Sequence, residues 1–360
     1  MKRNVVIACA CMALIAGLAF ADESKLTIRA RTKLNLATVY LDDAGTDSGV
    51  SVPGDDRFGV EYKSDKAGAV ILLKGKLIDG TVELYDYYGW MSFGNLKLTA
   101  GEWDHRKADI VDKDASSWGG VWDIYYGPLK ADATKEGGVV FMSESDNITP
   151  WKSEFSGDIA FGDASFAFAS GSDTKDPYNA MEQFGARGTY DVGDAAKLTG
   201  TFVMNGKDKA TVGIFANVLM IENLNAVIGY SGYHDLDVSG NSLNAVELRA
   251  RYAMGDISLT SHNNATLGED LMILYNMANV AWKANDTFTP CLLVANARVS
   301  GDAAELAGTA GNTLTVRPGV TVTAQKGAAI DAGVKIEMTS PESGDSVTKI
   351  SVPVVFRVKF

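Results

Sequence analysis

The chain has 360 residues, 46% of them hydrophobic, and a formal net charge of −12, with 37 Gly, 8 Pro and 3 Cys. So acidic a balance leaves no broad basic surface, which excludes general nucleic-acid binding. The low proline and ordinary apolar content also exclude collagen-like and disordered classes.

The chain opens with Lys2 and Arg3, an apolar run from Val5 to Phe20, and Ala19-Phe20-Ala21 before Asp22. A positive start, a short apolar stretch and a small-residue site make a secretory signal, expected over residues 1–21 and removed on export. An acylated Cys9 or Cys11 is disfavoured, because both lie in the middle of the apolar run. Cleavage takes the formal charge to −14 and leaves Cys291 as the single cysteine, so no intrachain disulfide is available. No later apolar run reaches the roughly 18 residues of a spanning helix. Residues 22–360 are expected to form one domain, since no linker or composition shift divides them.

The first element after the signal is KLTIRARTKLNLATVYL, residues 25–41. Leu26, Ile28, Ala30, Leu34 and Leu36 share one parity, and Arg29, Arg31 and Lys33 share the other. Period two over sixteen positions is a strand signal, and a strand this long exceeds the usual five or six residues. Further alternating segments follow, separated by two kinds of connection. Short turns are expected at SDKAG near Asp65, FGN (93–95), GDA (162–164), VGDA (192–195), IENL (221–224), MGD (254–256), KAND (283–286) and AQKGA (324–328). Their Gly, Asn and Asp supply the positive φ that tight hairpins need. Long polar loops are expected at 42–56, 104–117, 171–182, 234–242, 262–270, 300–312 and 340–346. LIDG near Asp79 is a very short member of that set, and the turn around Pro128–Gly137 an overlong member of the other.

Short and long connections taking turns predict an all-β, antiparallel, up-and-down transmembrane barrel of about 16–20 strands, with a direct tally of 20. Tyr and Trp near strand ends, among them Tyr40, Tyr85, Tyr88, Trp90, Tyr252 and Trp282, suit interfacial girdles. In DLMILYNMANVAWKA (270–284) apolar residues occupy both parities, which reads as a strand covered on both sides and a candidate subunit contact. A short helix is the competing reading there.

The chain closes on DSVTKISVPVVFRVKF. Ile350, Val352, Val354, Phe356, Val358 and Phe360 share one face, and Lys349, Arg357 and Lys359 the other. Pro353 cannot donate a ladder bond, so an irregularity is expected there. A long strand ending on an aromatic resembles the closing strand of bacterial outer-membrane β-barrel porins. The resemblance implies a cell outer-membrane location, with Phe356, Val358 and Phe360 read by the barrel-assembly machinery and outer-membrane lipid around the wall. It also implies a possible homotrimer.

In a closed barrel the first and last strands pair, so Arg29, Arg31, Lys33, Lys349, Arg357 and Lys359 are expected to form a basic seam lining the pore. Arg249, Arg251 and Arg317 fall on the inner face by the same alternation. A cation facing lipid at mid-depth costs roughly 2–4 kcal/mol, so this face must line water. The resemblance further implies a constriction loop at GEWDHRKADIVDKDASSW, with Asp104, His105, Arg106, Lys107, Asp109, Asp112, Lys113 and Asp114. The implied function is a water-filled channel for passive diffusion of small hydrophilic solutes and ions. A surface-exposed adhesin or structural outer-membrane protein is the alternative.

No enzyme is expected. His105, His234 and His262 fall in expected outer loops, and His234-Asp235 and Ser261-His262 are neighbours whose side chains a strand would send to opposite faces. Three scattered histidines and one cysteine give no zinc spacing, and no phosphate-loop or dinucleotide motif is present, so neither metal nor cofactor is expected.

Overall fold

The structure, a computed structural model, describes residues 25–42, 45–51, 56–76, 81–103, 153–171, 184–204, 208–237, 242–306 and 308–359. The expected signal, the constriction loop Asp104–Asp114, the turn at Pro128–Gly137, the LIDG loop, most of loop 171–182 and Phe360 lie outside these residues.

The alternating segments are strands. In chain order they are β1 (Lys25–Asp42), β2 (Gly45–Ser51), β3 (Asp56–Lys63), β4 (Ala67–Lys76), β5 (Thr81–Phe93), β6 (Leu96–Trp103) and β7 (Ser153–Phe161). There follow β8 (Ala164–Gly171), β9 (Phe184–Val192), β10 (Ala196–Met204), β11 (Lys209–Val218), β12 (Leu224–Asp235), β13 (Leu243–Met254) and β14 (Ile257–Leu267). The last are β15 (Met272–Trp282), β16 (Phe288–Ser300), the helix α1 (Asp302–Leu306), β17 (Gly311–Gln325), β18 (Ala328–Gly333), β19 (Lys335–Pro341), β20 (Val347–Ser351) and β21 (Val354–Lys359).

Every pairing is antiparallel and, in general, joins neighbours in sequence. Three wall positions each carry two segments. β2 and β3 share one flank of β1, β18 and β19 lie end to end along β17, and β20 and β21 do the same beside them. The twenty-one described segments occupy eighteen positions around the wall, inside the expected range of 16–20. β6 bonds directly to β7, from Leu96↔Ile159 to Trp103↔Ser153. β1 bonds to β2 and β3 on one side and to β20 and β21 on the other, which closes the ring. Closure gives each of the eighteen described wall positions a neighbour on both sides, as a hydrocarbon environment requires.

The hairpins of the short set lie where the turn residues put them. Gly94, Gly162, Gly193, Gly255 and Gly327 take positive φ there, and Asn223 in IENL does so at 63°. Two described loops of the opposite end are shorter than expected. Residues 45–51 of the 42–56 stretch form β2, which folds back on β1 from Asp42↔Gly45. Of the 262–270 stretch, His262 to Leu267 belong to β14. His262 is therefore a mid-strand residue and His234 the penultimate residue of β12, where both were expected in loops. Local propensity of Asn and Gly for turns lost here to ladder pairing on both sides.

Pro353 interrupts the last strand between Ser351 and Val354, as its missing N–H demands. The neighbouring position breaks at Val334, and the freed Pro353 carbonyl accepts from Gly333 N at 3.3 Å. The 270–284 stretch is the regular strand β15, not a helix.

The two faces differ in chemistry. Many outward residues are large, apolar and exposed, with Ile214 at 63% and Phe161 at 62%. A continuous apolar face of this extent is a lipid- or protein-facing surface. Trp282, Tyr252, Phe288 and Phe93 stand exposed near the short-turn end. Tyr88 and Trp90 instead turn to the inner face, Tyr88 against Trp103 at 5.6 Å and Trp90 beneath Lys97 at 5.0 Å, so the girdle draws on Phe as well as Tyr and Trp.

Candidate functional site

The inner wall collects the charged side chains, and the register places several of the expected ones together. In β1 and β21, Arg31 is opposite Lys359 and Lys33 is opposite Arg357. On the other flank of β1, Arg31 is opposite Arg57, and Arg57 is opposite Lys74 of β4. The register therefore places Lys74, Arg57, Arg31 and Lys359 at one level across four adjacent strands. At roughly 4.8 Å per strand the row spans about 15 Å.

Like charges directly opposite each other in a sheet repel. Two of these side chains have further partners. The Arg57 guanidinium stacks 4.1 Å from the ring centre of Tyr85, and Lys74 Nζ lies 5.4 Å from it. Tyr85 reaches both because β5 carries a bulge opposite Leu72 and Leu73, which makes it the extra residue. Glu83 is opposite Lys74 at the end of the row. Arg57 and Lys74 were not anticipated from sequence, although Arg57 has the parity opposite to Phe58 and Val60 in DRFGVEYK.

The remaining seam residues stand apart from this row. Arg29 is ion-paired with Glu61 of β3. Lys349 is on β20 opposite Glu337, whose Oε2 lies 2.5 Å from Lys335 Nζ. The seam is therefore cationic around Arg31 and Lys33 and mixed in sign at Arg29 and Lys349.

A second constellation sits on β13, β14 and β15. Glu247, buried at 2% exposure, receives Arg249 on one oxygen, with His262 Nε2 2.9 Å from the same oxygen. Asn264 Nδ2 donates to the other oxygen at 3.2 Å, and Thr266 Oγ1 donates to Asn264 Oδ1 at 2.8 Å. His262 meets the Tyr275 ring edge-on at 5.2 Å. Register explains the cluster, because Glu247 is opposite Asn264 and Arg249 opposite His262. Arg251 continues the same face opposite Thr260. Arg317 is inward on β17, buried beside Leu293, and packs so closely on Gly333 that a Cβ there would lie 3.3 Å from its Nε. Asp331, also inward, accepts from Thr321 Oγ1 at 2.7 Å. Arg187 of β9 is a further buried inner arginine absent from the sequence reading.

At the chain end, Phe356 and Val358 share the outward parity, Phe356 opposite Leu34 and Ile330, Val358 opposite Thr32 and Ala328. The stretch expected to be apolar on both sides is half so. Ile273, Tyr275 and Met277 are buried inward, while Asn276, Val280 and Trp282 are exposed outward.

No protein-family model matches this sequence, and no curated protein matches it. Solved structures match the fold over nearly the whole chain. A BenF-like porin from Pseudomonas fluorescens Pf-5 aligns with a TM-score of 0.60 at 8% identity, covering 95% of this chain and 100% of its own. OccK2 (OpdF) from Pseudomonas aeruginosa aligns at 0.59 and 11%, covering 95% and 99%. An anion-selective porin from Comamonas acidovorans aligns at 0.58 and 15%, covering 94% and 100%. The architecture is that of a bacterial outer-membrane β-barrel porin.

Proposed function

We propose that this porin-fold barrel is a non-catalytic channel of the bacterial outer membrane, passing small hydrophilic solutes and ions by passive diffusion. The observation that carries the reading is the pairing of a closed ring with opposed faces. Outside it presents apolar side chains such as Ile214 and Phe161, and on the opposite parity the register aligns the Lys74–Arg57–Arg31–Lys359 row. Charge of one sign held on a pore wall sets which ions concentrate there. The row supports a preference for anionic solutes, with Arg249, Arg251 and Arg317 adding cations elsewhere on the wall. On this reading Met1–Ala21 directs export, and Phe356, Val358 and Phe360 present the outward face recognised by the assembly machinery. The barrel then works as a homo-oligomer, a trimer by the resemblance.

Planar-bilayer recording of purified protein tests this function. Stepwise conductance with a reversal potential on the anion side is expected. Absence of steps from folded protein would overturn the channel reading.

A further inference from the structure

The outer face is mostly apolar; Asn244 on β13 and His234 on β12 depart from this near strand ends, and outward amides gather in one sector. On β7 to β11 the described outward residues carry no amide or charged side chain, and Phe166, Phe168, Phe202 and Ile214 stand exposed there. On β14 to β17 the register aligns four asparagines with the outward parity. Asn263 is opposite Asn276, Asn276 is opposite Asn296, and Asn296 Nδ2 donates to Asn312 Oδ1 at 2.8 Å. Asn263 shares its face with Leu259 and Leu267, and Asn276 with Val280 and Trp282, all exposed.

Depth makes this row costly. Asn276 is six residues from Trp282, or about 20 Å along a strand rising roughly 3.3 Å per residue. With a tilt near 45° that is about 14 Å of depth, the middle of an apolar band about 25 Å tall. Asn263 spends one donor on Ser261 Oγ at 2.8 Å, while the exposed Asn276 carboxamide has no bonding partner among the described residues. Lipid tails offer neither donors nor acceptors, and an unsatisfied amide in hydrocarbon is strongly unfavourable.

We infer that the outer face of β14–β17 is the surface on which a second copy of this chain docks, with the Asn263–Asn276–Asn296–Asn312 row bonded across the contact. The inference rests on the reading of the chain as a membrane barrel. It adds to that reading the face used and the chemistry that holds it. Each carboxamide carries two donors and an acceptor oxygen, so a row of them is complementary to a copy of itself. Ala265 and Ala278 flank the row with the same parity, small enough for two walls to approach closely, as small residues do in other membrane contacts. Arg298 stands exposed on the same face, two residues closer to the long-loop end, where its charge reaches water.

The test uses the whole exported chain extracted in mild detergent and sized by analytical ultracentrifugation. Wild type is expected as a homo-oligomer. Asn276→Leu with Asn296→Leu is expected to raise the dissociation constant roughly tenfold, the scale of polar contacts between membrane segments. Leu98→Ala on β6, diametrically across the ring, is expected to leave it unchanged. A folded, conducting wild type that is monomeric overturns this inference and leaves the channel reading standing. An unchanged oligomer in the folded double variant, or a different protein bound stoichiometrically at this face, also overturns it. Should the double variant misfold, spin labels at Asn276→Cys in a Cys291→Ser background decide. Inter-copy distances shorter than those from Leu98→Cys support the contact, and equal or longer ones overturn it.

Discussion

Arg31 of the first strand lies directly opposite Lys359 of the last, in the register that closes the barrel. With Arg57 opposite Arg31 on the other flank, the closure seam holds three cations in line, and Lys74 extends them to four. Such a row is unfavourable in isolation and useful when water and anions fill the space before it.

Reversing charge in this row should therefore reverse what the pore prefers. Arg57→Glu with Lys74→Glu is expected to move the zero-current potential in a salt gradient towards cation preference, while conductance steps persist. Glu61→Gln, which releases Arg29 from its carboxylate, is expected to move it the other way. Because Arg29 is half exposed, the stability change from losing that pair should be at most about 1 kcal/mol. Potentials that stay put in both variants would place the row outside the permeation path.

Glu247 organises Arg249, His262 and Asn264, so its removal has a structural cost. Glu247→Ala leaves a largely buried guanidinium without its counter-charge and should destabilise the barrel by about 3 kcal/mol. Urea unfolding from lipid vesicles, followed by tryptophan emission, measures this. A shift below about 1 kcal/mol would mean that solvent or another side chain replaces the carboxylate.

Two glycines with positive φ separate conformational strain from steric conflict. At Gly94, φ 59° in the β5–β6 hairpin, an added Cβ meets nothing within 4 Å, so Gly94→Ala should cost about 1 kcal/mol. At Gly101, φ 125°, the same atom would lie 2.2 Å from the Tyr87 carbonyl oxygen, against backbone that cannot yield without breaking the ladder. Gly101→Ala should thus cost clearly more, and thermal melting of the two variants ranks them.

The turn between β15 and β16 offers a pH test. Lys283 Nζ lies 2.7 Å from Asp286 Oδ1, and its hydrogen bond and charge hold the Asp286 carboxyl below its usual value. A depressed carboxylate stabilises the fold above its unfolded-state pKa, and that contribution fades as pH falls through the folded one. Asp286→Asn should differ from wild type most at neutral pH and match it in strong acid. Because both groups are fully exposed, the neutral-pH difference in melting temperature should be small.

Much of the fold was legible because it rests on local rules. Period two in residues 25–41 and the Gly and Asn turns mark strands and hairpins wherever the chain sits, and Pro353 breaks its strand for want of an N–H. The inner positions of Arg249, Arg251 and Arg317 followed from parity alone. His262 was misplaced in a loop because HNNATLGED has turn-forming composition, while Arg249 and Met277 pair with it from both sides.

The sequence by itself determined the alternation, the short turns and the oily and polar faces of each strand, since side-chain parity is a property of one strand. Only the tertiary structure decided that Arg57 and Lys74 join Arg31 and Lys359, and that four asparagines far apart in sequence form one outward row. Those relations depend on inter-strand register, and register is set jointly by every pairing that closes the ring. The basic seam inferred from two strands thus became a row across four, with Arg29 ion-paired to Glu61 and Lys349 standing opposite Glu337.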